Sequence, residues 1–554
     1  MKAQLLVLGA ALGGSLVCAG VPAVKEVHEQ EIDGGRGGPG GGNAKLSTKA
    51  LVKGIELEEL MRGARKLQSI AYATPERNRV FGSTAHNDTV DWLVQELQES
   101  QYYDVVKQKQ VHLWSRSEAT LTVNGESKEA SPMTYSPSGN TEQDIVLVNN
   151  LGCAPEDFPA RVAGKIALIV RGTCPFGLKA AHAGAAKAVG ALIYNNIPGP
   201  LSGTLGDPVN PAGPYPPTVG LSKEIGDDLA TRVVSEKLTG KLFTKSEFQN
   251  RTTFNVIATS KQGNKSNVIA VGGHSDSVEA GKNMSYIREH FHPHHPQAQS
   301  NTIKDYSDQI QPPGPGINDD GSGIVGNLVV AKALTKFKVP NAVRFLFWTA
   351  EEYGLLGSQY YVDSLSTEER EKIRLYLNMD MTASPNYATQ IYDGDGSSFN
   401  LTGPAGSAEI EKLLQKFYED REENHVPSEF DGRSDYDAFI SVGIPAGGVF
   451  TGAEGIKSEQ EAEWFGGTAG EAYDPNYHGV GDTVDNLSKK AWLMNTQATA
   501  YVVATYALST NGLPPKDSPS SAEMQTLSQG FVSSTKPFNG RCDDPHGQGR
   551  RCSY

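Results

Sequence analysis

The chain has 554 residues, of which 38% are hydrophobic and 21% charged, enough to bury sizeable cores; at ~150 residues per domain it should hold more than one. Its net charge of -14 argues against a nucleic-acid partner, because phosphate binding needs clusters of Lys and Arg that this sequence lacks.

The first 23 residues combine Lys2, an apolar run broken by glycines and a small-residue end, as in a secretory signal peptide, and the run is too short for a spanning helix. No later segment reads as a membrane span. Residues 24–44 are too glycine-rich to pack and read as a linker or pro-segment. From Leu51, apolar residues at three- and four-residue steps (Leu57, Leu60, Met61, Ala64, Leu67, Ile70, then Val90, Leu93, Val94, Leu97) predict two amphipathic helices. Near residue 120 the texture changes to short strands, DIVLVNN, GKIALIV and GALIYNN, set between Gly and Pro turns, with one Ala-rich helix, LKAAHAGAAKAVG. The run from Arg161 to Asn196, with its G-K-I, R-G-x-C-x-F and A-x-x-A-x-A-x-G pattern, resembles the protease-associated domain. That resemblance implies a non-catalytic insertion over 126–243, in which His182 is a packed or surface residue and not a ligand.

After Asn255, NVIAVGG, AVRFLFWT, RLYLNMDM and IPAGGVF alternate with the helical runs IVGNLVVAKALTKF and IEKLLQKFYED. Near-continuous apolar strands separated by helices predict an α/β fold: a mostly parallel central sheet flanked by helices, with the β-rich domain inserted. The predicted catalytic domain is therefore discontinuous, 45–125 plus 244–515, followed by a tail over 516–554. Four cysteines lie beyond the signal. Local pairing gives Cys153 with Cys174 and Cys542 with Cys552, in an oxidising compartment. Sequons at Asn87, Asn250, Asn264, Asn283, Asn400 and Asn486 suit a glycosylated secretory protein.

Ligands of such sheets gather at the carboxyl ends of the strands. His274 follows NVIAVGG, the Glu351-Glu352 pair follows AVRFLFWTA and Asp380 ends RLYLNM, so three strands deliver metal-binding side chains to one edge. With Asp319, in the turn INDDGSG, and His478 they form a candidate two-metal hydrolytic site, accompanied by Asp276 and Asp320. Peptide hydrolysis at neutral pH needs an activated water; zinc lowers the pKa of its bound water from 15.7 to ~7, and two metals ~3.5–4 Å apart can share a bridging carboxylate. Imidazole binds one metal at a time, so the bridge must be an oxygen ligand, for which Asp319 is suited. Of two adjacent glutamates, one can bind metal while the other remains free as a base. Asp276 could hydrogen-bond the far imidazole nitrogen of His274.

The motifs H-x-D-S-V, N-D-D-G-S-G, T-A-E-E-x-G-L-L-G-S, N-M-D-M and N-Y-H-x-x-x-D-T together resemble the co-catalytic zinc aminopeptidase family, closest to its fungal vacuolar or secreted type, over residues 50–510. The resemblance implies two zinc ions: His274 and Asp380 on one, Glu352 and His478 on the other, Asp319 between them, Glu351 as general acid and base, and Asp276 orienting His274. It further implies that Tyr477 steadies the oxyanion and that the GRSDY loop at 432–436 lines the substrate pocket. The expected substrates are peptides with a free amino terminus. The expected protein is a secreted monomer, with the vacuolar lumen as the alternative location. Rival readings are a carboxypeptidase or dipeptidase using Arg433 for a substrate carboxylate, a one-zinc glutaminyl cyclase, and a catalytically silent binding protein.

One departure is plain. Asp319 lies 45 residues after His274, where the family usually places about a dozen, and removing Lys282 through Gly314 restores the usual interval. The extra stretch carries His290, His292, His294 and His295 and reads as a solvent-facing loop rather than a metal-capturing or gating one.

Overall fold

The computed structural model describes residues 44–197, 199–206, 209–279 and 314–515. The signal peptide, the glycine-rich segment up to residue 43, the insertion apart from Gly314, Asn283, the Cys542–Cys552 pair and the tail lie outside the described residues.

The elements that position the site, in chain order, begin with α1 (Leu57–Tyr72) and α2 (Thr84–Glu99), the two helices expected from periodicity. In α1 the predicted stripe Leu60, Met61, Ala64, Leu67 and Ile70 is buried, and α2 starts where the Ser83 hydroxyl accepts from His86 N at 3.1 Å. Next come β1 (Tyr103–Val123), β2 (Gly139–Leu147), β3 (Ile166–Val170), α3 (Phe176–Ala185), β4 (Gly190–Tyr194), β5 (Thr218–Leu221) and the 22-residue β6 (Thr239–Ser260). The second half supplies β7 (Asn264–His274), α4 (Gly321–Leu334), β8 (Asn341–Trp348), β9 (Ile373–Met379), α5 (Ser407–Glu419), β10 (Ala446–Phe450) and α6 (Lys489–Leu508).

Strands β10, β9, β7 and β8 lie side by side in that order and all parallel, and β6 joins the far edge of β8 antiparallel. Both faces are covered, as the unbroken apolar runs predict. Val343, Phe345 and Phe347 of β8 enter one core with Leu375, Leu377 and Met379 of β9, while Leu346 and Trp348 enter the opposite core with Ile373 and Tyr376. Burial of each such large side chain stabilises by about 1.5–3 kcal/mol. Helix α4 is apolar on all sides because it is buried on all sides: only Lys332 of its residues is not buried.

The inserted domain is built on β2 to β5 and α3, and its sheet continues the catalytic one. The C-terminal end of β6 pairs with β8 while its N-terminal end pairs with β2, and β1 runs antiparallel to β6 from Tyr103↔Ser260 to Val123↔Gly240. The expected boundary at 243/244 therefore falls inside a continuous strand and not in a linker. The Cys153–Cys174 disulfide is formed, with Cα atoms 5.8 Å apart. His182 is buried beside the Phe158 ring, a packing residue as expected. Among the described residues no helix is long and apolar enough to cross a membrane.

Candidate metal centre

Register brings the site together. His274, the last residue of β7, pairs with Trp348 at the end of β8, and Gly272 pairs with Asn378 of β9, which sets Asp380 level with His274. A Cβ on Gly273 would lie 2.3 Å from Met379 O and 2.5 Å from Asp320 Oδ2, so glycine is what lets the strand end and the Asp320 turn approach. Asp320 ties three segments: its carboxylate accepts from Gly323 N at 2.8 Å, capping α4, from His274 N at 3.1 Å and from Met381 N at 3.2 Å. Ala350, Met381 and His478 have φ of 55°, 45° and 55°, left-handed values that non-glycine residues hold at a cost of about 1–3 kcal/mol and that cluster at functional sites.

All five expected ligands converge. His274 Nε2 lies 3.1 Å from Asp319 Oδ1 and 3.6 Å from Asp380 Oδ1; His478 Nε2 lies 3.0 Å from both Asp319 Oδ2 and Glu352 Oε2. Asp319 thus sits between two histidines with one oxygen toward each. Glu351 Oε2 stands 3.8 Å from His274 Nε2. Asp276 lies on the far side of that imidazole, but at 3.7 Å from Nδ1 it is beyond hydrogen-bond length, and its Oδ1 instead accepts from Glu351 N at 3.2 Å. The expected imidazole partner is thus a support for the glutamate loop.

The donor set fits cations. His478 Nε2 and Glu352 Oε1 are buried and make no hydrogen bond of acceptable direction, and ligand atoms of His274, Asp319 and Glu352 all lie within 4.8 Å of one another. Two imidazoles with carboxylate oxygens are ligands zinc accepts. The same crowding displaces proton affinities. Burial, then Glu352 and Asp380, pushes the Glu351 carboxyl well above the usual carboxylate range against the pull of His274. Burial would likewise raise Asp319, but His274 and His478 outweigh it and hold that carboxyl below its ordinary value. Burial alone would lower His478, yet Glu352 and Asp319 carry it to about 10.

Tyr477 stacks on His478, ring centres 3.9 Å apart, and its hydroxyl accepts from Arg433 Nη2 at 3.3 Å. Arg433 is itself clasped by Glu454 through bonds of 2.9 and 3.1 Å. A carboxylate partner for this cation is already in place.

Several residues of the site lie in quoted motifs, but nothing in the sequence signals their roles. Ser434, in the GRSDY loop, donates to Asp380 Oδ2 at 2.6 Å and so leaves Oδ1 facing His274. Asp435 is buried with both oxygens free of hydrogen bonds, its pKa pushed up to about 7 by burial. Asp482, from the quoted H-x-x-x-D-T motif, accepts from Asn318 N at 2.7 Å and Asp319 N at 3.1 Å, fixing the Asp319 turn. Asn486 corrects an expectation: it is buried, donates to both oxygens of Asp474 at 3.0 Å and accepts from Asn476 Nδ2 at 2.6 Å, so the folded chain does not offer it to a glycan. Asn250, Asn264 and Asn400 are exposed, and Asn87 is half-buried on α2.

His86 is buried behind the strand end. Ser275 Oγ donates to Trp348 O, so it accepts from His86 Nε2 at 3.0 Å. Burial lowers the pKa of His86 from 6.5 to about 4. The unfolded chain takes up this proton below pH 6.5 and the folded chain refuses it until about pH 4, so stability falls as pH drops through that window, by about 3 kcal/mol in all. Denaturant unfolding at stepped pH should show this slope reduced in His86→Gln; an equal slope in both proteins would refute it.

Comparison with known proteins gives one consistent result. The sequence profile of peptidase family M28 matches residues 255–503 and that of the PA domain matches 141–229. A probable leucine aminopeptidase 2 of Aspergillus fumigatus is 52% identical over 485 residues, covering 88% of this chain and 90% of the relative. A probable leucine aminopeptidase 2 of Aspergillus oryzae is 50% identical, covering 91% and 94%. Among solved structures, an aminopeptidase from Aneurinibacillus sp. strain AM-1 superposes with a TM-score of 0.63 at 27% identity, covering 85% of this chain and 98% of that one.

Proposed function

The chain belongs to peptidase family M28 and is a metalloaminopeptidase, and from that premise we propose that it removes single residues from the free amino termini of peptides with two zinc ions. The observation that carries the pair of ions is Asp319, one oxygen directed at His274 and the other at His478. In this reading His274 and Asp380 would hold one ion and Glu352 and His478 the other, with Asp319 available to both. Bound zinc supplies Lewis-acid polarisation of the scissile carbonyl and a water acidic enough to ionise near neutral pH.

The side chains do the rest. Glu351 lies farther from His274 than Asp319 does and is not needed as a ligand, and the raised proton affinity of its buried carboxylate suits it to accept a proton. It takes the proton of the attacking water and delivers it to the leaving amine. Because the Tyr477 hydroxyl accepts from Arg433, its own proton is available to the substrate's carbonyl oxygen as negative charge develops there. Glu351 and Asp380 receive the substrate's α-ammonium group. A carboxypeptidase would need Arg433 for the substrate's carboxylate, and Glu454 occupies it. Export to the medium, or to the vacuolar lumen, as a monomer completes the proposal, supported by the apolar amino-terminal run and the Cys153–Cys174 disulfide.

The test is leucine p-nitroanilide against its N-acetyl derivative, leucine being chosen because two relatives bear that name. Losing two contacts to a charged group, about 1.5–3 kcal/mol each, should slow the blocked substrate at least about a hundredfold. Equal rates would overturn the amino-terminal assignment.

A further inference from the structure

Arg79 lies just beyond α1, with none of its surface exposed, and among the described residues no carboxylate is hydrogen-bonded to it. A buried cation is costly unless its donors are satisfied. Here all of the listening partners are main-chain carbonyls: Nε donates to Pro315 O at 2.9 Å, Nη2 to Gly316 O at 2.6 Å and Nη1 to Ser275 O. Ser275 follows His274, and Gly316 leads into the turn that carries Asp319, so one guanidinium joins the two segments from which both residues arise.

The surrounding contacts stitch the same place. Arg79 N donates to Ser277 Oγ at 2.9 Å, and that hydroxyl donates onward to Gly314 O at 3.0 Å. Ser277 N donates to Arg79 O at 3.3 Å, and Gly314 N to Arg77 O at 3.0 Å. The sequence separates His274 from Asp319 by 45 residues, yet their side chains meet at 3.1 Å. The Arg77–Arg79 segment closes that interval at its base. The carboxylates whose charge acts on the guanidinium include Asp276, Asp320, Asp482 and Asp319.

We propose that Arg79 is a positioning residue of the metal centre: by holding the carbonyls of Ser275, Pro315 and Gly316 it fixes the spacing of His274 and Asp319 and thereby the affinity for the ion they share. The proposal rests on the two-zinc reading above. Charge and clamp make opposite predictions. Removing a positive charge beside four aspartates would, through Coulomb's law alone, tighten binding of a dication; releasing three carbonyls lets the ligand segments drift and loosens it.

The experiment is chelator competition for zinc in the purified full chain, scored per folded molecule, for wild type, Arg79→Lys and Arg79→Met. The clamp predicts that both variants surrender zinc at about 10- to 100-fold lower chelator concentration, with kcat reduced and KM unchanged. Unchanged affinity in Arg79→Lys, or tighter binding in Arg79→Met, would overturn it, since a cation that served only core stability would move the melting temperature and not the zinc affinity of the folded chain. Should either variant fail to fold, Ser277→Ala releases Gly314 O and Arg79 N from the same clamp. It should weaken zinc binding at least about fivefold, the equivalent of one of the two hydrogen bonds lost, and wild-type affinity would overturn the role. A wild-type chain that held no zinc would overturn the metal reading itself, whereas zinc in the wild type with unaltered variants removes only Arg79.

Discussion

Exchange of Glu351 for Gln is expected to leave zinc content unchanged and to lower turnover by about 10²- to 10⁴-fold, the range of general acid and base catalysis. The substitution keeps the shape of the side chain and its main-chain bond to Asp276, so the loop carrying Glu352 should stay in place. What it removes is the carboxyl that can accept and return a proton. Zinc measured by elemental analysis beside kcat on leucine p-nitroanilide separates the two outcomes. Retained turnover would refute the assigned base; lost zinc would make Glu351 a ligand and shift the proton transfer to another group.

Asp319→Asn should be the more damaging change, because it acts on metal and turnover together. Asp319 faces both histidines, so loss of its charge weakens both positions at once, by more than the about 10- to 100-fold that outer partners cost. Its turn is held independently by Asp482 through the Asn318 and Asp319 N–H groups, so the fold around the substitution should persist. Dialysis against chelator followed by zinc add-back checks this: the variant should regain little activity at zinc levels that restore the wild type. Full recovery would show that the carboxylate is not shared.

How much of this was legible in the sequence follows from how far each feature depends on partners distant in the chain. Strands β7, β8 and β9 announced themselves because burial on both faces demands apolar residues at every position. Once three such strands were recognised as parallel, His274, Glu351, Glu352 and Asp380 had to fall at one edge. Asp319 and His478 were found by residue type and motif, and their 3.0–3.1 Å convergence is the geometry that motif implied.

The supports were not legible. Arg79 is one of many arginines until its three carbonyl partners, 196 to 237 residues away, are known. Ser434 sits in a loop flagged only as a pocket lining, yet it donates to Asp380. Asn486 shows the opposite failure: a sequon is a local pattern, and the burial that disqualifies it is not. Arg433 read as a candidate for a substrate carboxylate because Glu454, its partner, lies 21 residues on, beyond a short helix and β10. Asp276 was expected against the His274 ring, and its proton-accepting oxygen went to Glu351 N instead. The inserted domain was recognised by motif, but its junction was placed within β6 because a 22-residue strand that runs through one continuous sheet has no punctuation at the crossing.

The central claim is that Asp319 lies between two ions, and it is tested most directly by counting zinc in the purified wild-type chain by elemental analysis after removal of loosely bound metal. The account predicts two zinc ions per folded chain. A stoichiometry of one, with aminopeptidase activity intact, would contradict it.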